Sequence, residues 1–233
     1  MKEPTHKFNK GTFLQLAIFD LDNTLLNGDS DYNWSLFLIE HGVLDSDLYK
    51  ERNEQFFKDY QSGNLDVYAY CEFQFKTLKE NPRELLDELR SDYVKKIINP
   101  MITKEAKELV ESHRKADHKL LIITATNSYI TKPIADLFGI EDLIGTDLEE
   151  LNGEFTGKVS GLPSFQEGKI TRLNLWLEER GLAFEALEKT FFYSDSMNDI
   201  PLLEKVSNPV AANPDGVLEK KAIKEDWPII YLR

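Results

Sequence analysis

Apolar positions along the chain fall into two rhythms. Short unbroken runs occur at Leu14–Asp20, Lys119–Thr124, Leu143–Thr146, Thr190–Ser194, Pro209–Ala212 and Ile229–Leu232. They are rich in Ile, Leu, Val and Phe and are bounded by turn-forming residues, the pattern of buried strands. Between them, Thr103–Lys115, Tyr129–Phe138, Lys169–Arg180, Ile200–Val206 and Val217–Lys224 show a 3.6-residue spacing or a helix-forming composition. Alternation of buried strand and helix predicts an α/β fold with a parallel sheet. The stretch LEELNGEFTGKVSG (148–161) differs: residues alternate about Asn152-Gly153, which predicts a β-hairpin.

One segment breaks the alternation. No strand is predicted from Asp31 to Asn99, where the helical candidates are Tyr32–His41, Ser46–Tyr60, Asp66–Leu78 and Pro82–Ile98. Gly42, Ser62-Gly63 and Asn81-Pro82 punctuate them. Trp34, Phe37, Phe56, Phe57, Tyr60, Tyr68, Tyr70, Phe73 and Phe75 supply enough apolar matter for a small bundle. The expected organisation is a helical cap, residues 29–99, inserted into an α/β core formed by residues 1–28 and 100–233. A helical side layer sharing the main core is the alternative. The first ten or so residues carry no pattern.

Charge and composition narrow the partners. A net charge of −13 makes nucleic acid and anionic membranes poor partners. No stretch approaches the ~20 apolar residues of a membrane span, and the first residues lack the apolar centre of a secretory signal. The single cysteine, Cys71, excludes an intrachain disulfide and reads as a packing residue. A cytoplasmic protein is expected, as a monomer or homodimer. His6, His41, His113 and His118 show no ligand spacing and read as surface residues.

The first strand ends in Asp20 and Asp22, and buried strands do not finish in two carboxylates unless something offsets the charge. Three further strand ends or helix starts carry polar groups: Thr124, Lys169, and Asp195 with Asn198 and Asp199. In an open parallel sheet such positions converge on one crevice. Crowded carboxylates repel, and a divalent cation with a lysine relieves them. The donors are all oxygen, which suits Mg²⁺ and a phosphate-bearing substrate. Thr124 and Lys169 can hold an anion; Thr126, two positions on, competes with Thr124. One Asp can attack phosphorus while another moves the proton. Asp199 can also cap a helix starting at Ile200-Pro201.

These motifs resemble the haloacid dehalogenase superfamily of phosphohydrolases. DLDNT (20–24) matches its first motif, Thr124 the second, Lys169 the third and SDSMND (194–199) the fourth. The resemblance implies a Rossmann-like three-layer α/β/α core and Mg²⁺-dependent hydrolysis of a small phosphorylated metabolite. It implies Asp20 as nucleophile and metal ligand, with Asp22 as acid/base that also ligates through its carbonyl. Thr124 and Lys169 would hold phosphoryl oxygens, Asp195 would bind the metal, Asp199 would steady its shell and Asn198 would lie beside it. Ser194 departs from the family, which usually has Gly there, and this puts the local backbone in question.

The helical insert is similar to that of the phosphoserine-phosphatase-like branch. There an acidic residue after the first motif meets the substrate amine, and Asp29 stands at that place. A cap arginine meets the substrate carboxylate, and Gln74 stands at that place in an ungapped match. A neutral amide cannot replace a bidentate guanidinium. With Glu72, Asp31, Trp34, Tyr68 and Tyr70 nearby in sequence, a cationic substrate lacking a carboxylate is expected, such as histidinol phosphate. Arg52 or Arg83 would restore a carboxylate clamp if the match is shifted. The alternatives are a phosphoserine phosphatase, a phosphotransferase, or a non-catalytic phospholigand-binding regulator.

Overall fold

The computed structural model describes residues 14–233, apart from the side chain of Leu48. Six strands form one parallel sheet in the order β3-β2-β1-β6-β7-β8. They are β1 (Gln15–Phe19), β2 (Lys119–Asn127), β3 (Asp142–Thr146), β6 (Lys189–Ser194), β7 (Asn208–Ala212) and β8 (Ile229–Ile230). Strand β1 sits centrally, between β2 and β6. Its side chains alternate between two apolar layers, as the two-residue period of a strand requires. Leu16 and Ile18 pack toward α8 (Glu167–Glu178), α9 (Ile200–Leu203) and α10 (Gly216–Lys224). Ala17 and Phe19 pack toward α6 (Lys104–Lys115), α7 (Ser128–Leu137) and the helical segment. The expected three-layer α/β/α sandwich is therefore present.

The helical segment comprises α1 (Ser30–Glu40), α2 (Ser46–Gln61), α3 (Val67–Glu80) and α4 (Arg83–Tyr93). The last runs on through a wide turn at Val94–Ile98 into α5 (Asn99–Met101). Asp29 and Asp66 cap α1 and α3, each accepting two backbone N–H bonds, which fixes where these helices start. Trp34, Phe37, Cys71, Phe75, Leu78 and Tyr93 are buried in the same apolar cluster as Phe19 and Ile122. The segment thus shares its apolar interior with one face of the sheet.

The hairpin forms where Asn152-Gly153 places it, as β4 (Leu148–Leu151) and β5 (Glu154–Val159). Both turn residues have positive φ, 54° and 86°, as a tight hairpin turn requires. The hairpin covers α3, and Gly157 lies so close to Lys79 that a Cβ would sit 3.0 Å from its side chain.

Two expectations need correction. His113 is buried, not at the surface: one ring nitrogen meets the Tyr193 hydroxyl at 2.8 Å and the other meets His118 at 2.7 Å. Burial and the His118 charge push its pKa down to about 4, so it packs as a neutral ring between Phe19 and Phe191. Helix α9 spans only four residues, shorter than the Ile200–Val206 pattern. His6 lies outside the described residues, as does the patternless start of the chain. No described helix is long and apolar enough to cross a membrane.

Candidate active site

Strand β1 delivers Asp20 to the carboxyl edge of the sheet, where Asp20 N–H donates to the Tyr193 carbonyl of β6 at 2.9 Å. The chain then turns sharply: Asp22 is extended (φ −71°, ψ 133°) and Asn23 left-handed (φ 55°). This departure from helix throws the Asp20 and Asp22 side chains in different directions. Asn213 after β7 braces the turn, its amide donating to the Asn23 carbonyl at 2.9 Å.

Asp20 accepts from buried Lys169 Nζ at 2.8 Å, and Lys169 also donates to Asp199 at 2.7 Å. The Thr24 hydroxyl lies 3.2 Å from an Asp20 oxygen and 3.1 Å from an Asp195 oxygen, and accepts the Asp195 N–H at 3.0 Å. One hydroxyl proton cannot serve both carboxylates at once. Asp20 and Asp199 therefore share a single lysine, and Asp195 meets no cation among the described ion pairs, so the cluster holds more carboxylates than cations. Burial, only partly offset by Lys169 and reinforced by Asp199, pushes Asp20 up to about 7. Burial, then Asp20 and Asp199, holds Asp195 well above the usual carboxylate range. Burial alone would lower Lys169, but Asp199 and Asp20 outweigh it and keep it charged. An oxygen-only donor set with this surplus charge fits a divalent cation between Asp20 and Asp195.

Asp22 stands apart from that lysine. It accepts the Ser30 N–H at 2.6 Å and the Thr126 hydroxyl at 2.7 Å. Burial, then the Asp29 charge, raises it to about 6. Thr126 thus serves Asp22. The competing Thr124 is buried, and its oxygen accepts the Thr126 N–H at 3.2 Å, which leaves its own proton free to donate.

The helical segment places a second set of acids beside Asp22. Asp29 accepts Asp31 N–H and Tyr32 N–H through one oxygen. Asp31 is 6% exposed and accepts the Tyr70 hydroxyl at 2.6 Å and the Asn127 amide at 3.3 Å. Burial pushes both to about 6, despite these hydrogen bonds. Gln74 donates to Tyr70 at 2.8 Å and to Tyr49 at 3.2 Å, and accepts from Ser35 at 3.3 Å. Among the ion pairs of the described residues, none reaches Asp22, Asp29 or Asp31.

A sequence profile of the haloacid dehalogenase-like hydrolases matches residues 17–204. The chain belongs to that family. This hydrolase is 47% identical to a histidinol-phosphatase of Neisseria meningitidis, over 94% of this chain and 99% of the relative. It is 30% identical to a phosphoserine phosphatase of Mycobacterium tuberculosis, over 91% of this chain and 69% of that one. A crystal structure of a Bordetella pertussis protein of unknown function superposes with a TM-score of 0.90 at 40% identity, covering 95% of this chain and all of that one. A phosphoserine phosphatase holding a phospho-aspartyl analogue shares the fold, with a TM-score of 0.66 at 19% identity over 95% of each chain.

Within the hydrolase, several predicted residues are placed differently from expectation. Asp199 makes no capping bond to α9; its carboxylate is taken by Lys169 and by the Ser194 hydroxyl at 2.6 Å. Ser194 ends β6 in ordinary strand geometry, so glycine is not needed there, and its hydroxyl braces Asp199 instead. Asn198 accepts from Gln166 at 2.8 Å and donates to the Tyr60 carbonyl at 3.3 Å, so its amide is spent on neighbouring loops. Glu72 is exposed on α3, while Tyr70 donates to Asp31 and Gln74, one turn on, donates to Tyr70. Arg52 lies over Phe56, and Arg83 pairs with Glu150 of the hairpin, so both are engaged elsewhere. Thr24, Asn127, Tyr60 and Gln166 were not anticipated. Thr24 falls inside the DLDNT motif and was legible; the other three make contacts too distant in sequence to be read from it.

Proposed function

We propose that this phosphatase acts on histidinol phosphate, with residues 29–99 as the substrate-selecting cap. The observation that carries the reading is the trio of buried Asp31 and half-buried Asp22 and Asp29, all elevated in pKa and without a cationic partner among the described ion pairs. Such a group calls for a cation from outside the protein. Histidinol phosphate brings an amine and an imidazole and no carboxylate. Gln74, where the similar enzymes carry arginine, is committed to Tyr70, Tyr49 and Ser35 and offers nothing to a carboxylate. The relative at 47% identity, a histidinol-phosphatase, agrees.

The chemistry follows from the oxygen geometry. Asp20, anchored by Lys169, attacks phosphorus; the P–O bond to the substrate alcohol breaks and an aspartyl phosphate forms. Asp22, with a pKa of about 6, gives its proton to the leaving oxygen. It then takes a proton from the water that attacks the aspartyl phosphate, regenerating Asp20. Thr124 and Lys169 steady the phosphoryl oxygens. The Asp20 and Asp195 carboxylates, with the Asp22 carbonyl, would hold Mg²⁺, which would supply charge stabilisation at phosphorus. Asp199 acts from behind, through Lys169 and Ser194.

The test is phosphate release from histidinol phosphate and L-phosphoserine in parallel, with Mg²⁺. Wild type is expected to favour histidinol phosphate, and Asp20→Asn to be inactive on both, by about 10⁴-fold or more. Faster turnover of phosphoserine overturns the substrate assignment while leaving the mechanism in place.

A further inference from the structure

The C-terminal end of α2 is tied to two of the segments that carry site residues, the turn before Lys169 and the stretch after β6. The Tyr60 hydroxyl meets Ser196 Oγ at 2.8 Å. The Tyr60 carbonyl accepts from Asn198 at 3.3 Å. Three residues later, the Gly63 carbonyl accepts from Gln166 Nε2 at 3.4 Å, and the same nitrogen donates to Asn198 at 2.8 Å. Three segments distant in sequence therefore meet: residues 60–63, the loop before Lys169, and the loop from Ser194 to Asp199. From Ser196 the path continues inward. Its N–H donates to Ser194 Oγ, which donates to Asp199, which holds Lys169 against Asp20.

Gln166 bears an unfavourable backbone. Residues 165–168 form a tight turn closed by Gly168 N–H to the Phe165 carbonyl at 2.8 Å. Gln166 sits at its second position with φ 47° and ψ −124°, the conformation that position takes in a type II′ turn, where glycine is the relaxed choice. The next glycine is fixed by close approach, because a Cβ at Gly168 would come within 2.3 Å of the Pro163 carbonyl oxygen. A side chain kept in a glycine conformation calls for something that the side chain does. Here the side-chain amide bridges Gly63 and Asn198.

We infer that Gln166 and Tyr60 are positioning residues: they clasp the end of α2 to the Lys169 and Asp195–Asp199 loops, so that seating the helical segment and aligning those loops are one event. The inference rests on the reading that those loops carry the chemistry. Neither residue touches the reacting atoms. Each acts through Asn198 and Ser196, so its loss leaves the inner Lys169–Asp20 contact intact but free to wander.

The experiment compares Gln166→Gly, Gln166→Glu, Tyr60→Phe and the Tyr60→Phe/Gln166→Glu pair. Hydrolysis of p-nitrophenyl phosphate serves as a probe that needs no assumption about the natural substrate. Thermal midpoints and hydrogen exchange across residues 60–64 are read alongside. Gln166→Gly is expected to keep or raise the midpoint, because strain is relieved, yet to lower kcat/KM about tenfold to a hundredfold, as expected for misplaced catalytic groups. Gln166→Glu keeps the shape but cannot donate, and should lose activity similarly. Exchange at 60–64 should quicken in each variant. The double variant should be little worse than either single one, since both open the same clasp. Full activity in Gln166→Glu, or losses that multiply in the double variant, overturns the clasp. Absence of phosphate release by wild type from any monoester overturns the functional reading instead, and the exchange data then judge the clasp alone.

Discussion

Replacing Asp31 by Asn separates recognition of the substrate cation from chemistry. Asn is nearly isosteric, and its carbonyl can still accept the Tyr70 hydroxyl, 2.6 Å away in wild type. Its amide then faces the Asn127 amide, which is fixed because Asn127 Oδ1 accepts the Ile130 N–H at 3.0 Å. That donor-to-donor contact costs about 1 kcal/mol. Relief of repulsion toward Asp22 offsets it, because that charge helps hold Asp31 at about 6. Stability should therefore hold within about 1 kcal/mol. Binding should not. Removing one member of a buried charge pair costs ~2–5 kcal/mol. Asp29 remains beside the cation, which argues for the lower end, so kcat/KM for histidinol phosphate should fall about 30-fold. The fall should come mainly through KM, and p-nitrophenyl phosphate, with no cation, should change by less than about threefold. Steady-state phosphate release on both substrates, with thermal melts as a control, checks this. An equal loss on both substrates would refute the assignment of Asp31 to the substrate cation and make it a structural acid.

Gln74→Arg places a guanidinium beside Asp31 and removes the acceptor used by Ser35; the ratio of kcat/KM for histidinol phosphate over phosphoserine should drop by at least about tenfold, measured by competition of the two substrates. Ser194→Ala deletes the 2.6 Å bond to Asp199 and should weaken Mg²⁺ about tenfold, read by calorimetric titration, with the fold unchanged by circular dichroism. The pH dependence of the metal-free protein has a definite sign. Asp20 at about 7 and Asp22, Asp29 and Asp31 at about 6 lie above their unfolded values near 3.8. Their contribution favours folding fully below the unfolded values and is lost as pH rises through about 6 to 7. The thermal midpoint without metal should fall from pH 5.5 to 8, and Mg²⁺ should raise it more at pH 8 than at pH 5.5.

The sheet and the inner site were readable because both are local. Strand runs that end in Asp20, Thr124 and Ser194-Asp195 need only the rule that parallel strands present their carboxyl ends on one edge. Boundaries drifted where polar residues continue a strand: β2 runs on past Thr124 to Asn127, with a shift in its pairing to β3 after Ile123. His113 was misread because its partners, Tyr193 and His118, come from strand and loop positions that the spacing of histidines does not reveal. A histidine's burial depends on whether a neighbour can satisfy both nitrogens, and periodicity carries no such information.

The helical segment was harder for a different reason. Asp29, Asp31 and Glu72 are equivalent as letters on a very acidic chain. Their roles separate only when helix phase and capping are known. Asp29 is the N-cap and spends one oxygen on the start of α1. Two residues on, Asp31 points inward to Tyr70, while Glu72 faces solvent because it lies between Tyr70 and Gln74 on a helix whose neighbours are three and four apart. Gln74 gains its meaning the same way. An arginine there could donate to both tyrosines but could not accept from Ser35, and a glutamate could accept but not donate. Only an amide both accepts from Ser35 and donates to Tyr70, whose own proton then points to Asp31. On the proposed substrate reading, selection against a substrate carboxylate and selection for a substrate cation would come from one hydrogen-bond chain, and changing residue 74 should move both together.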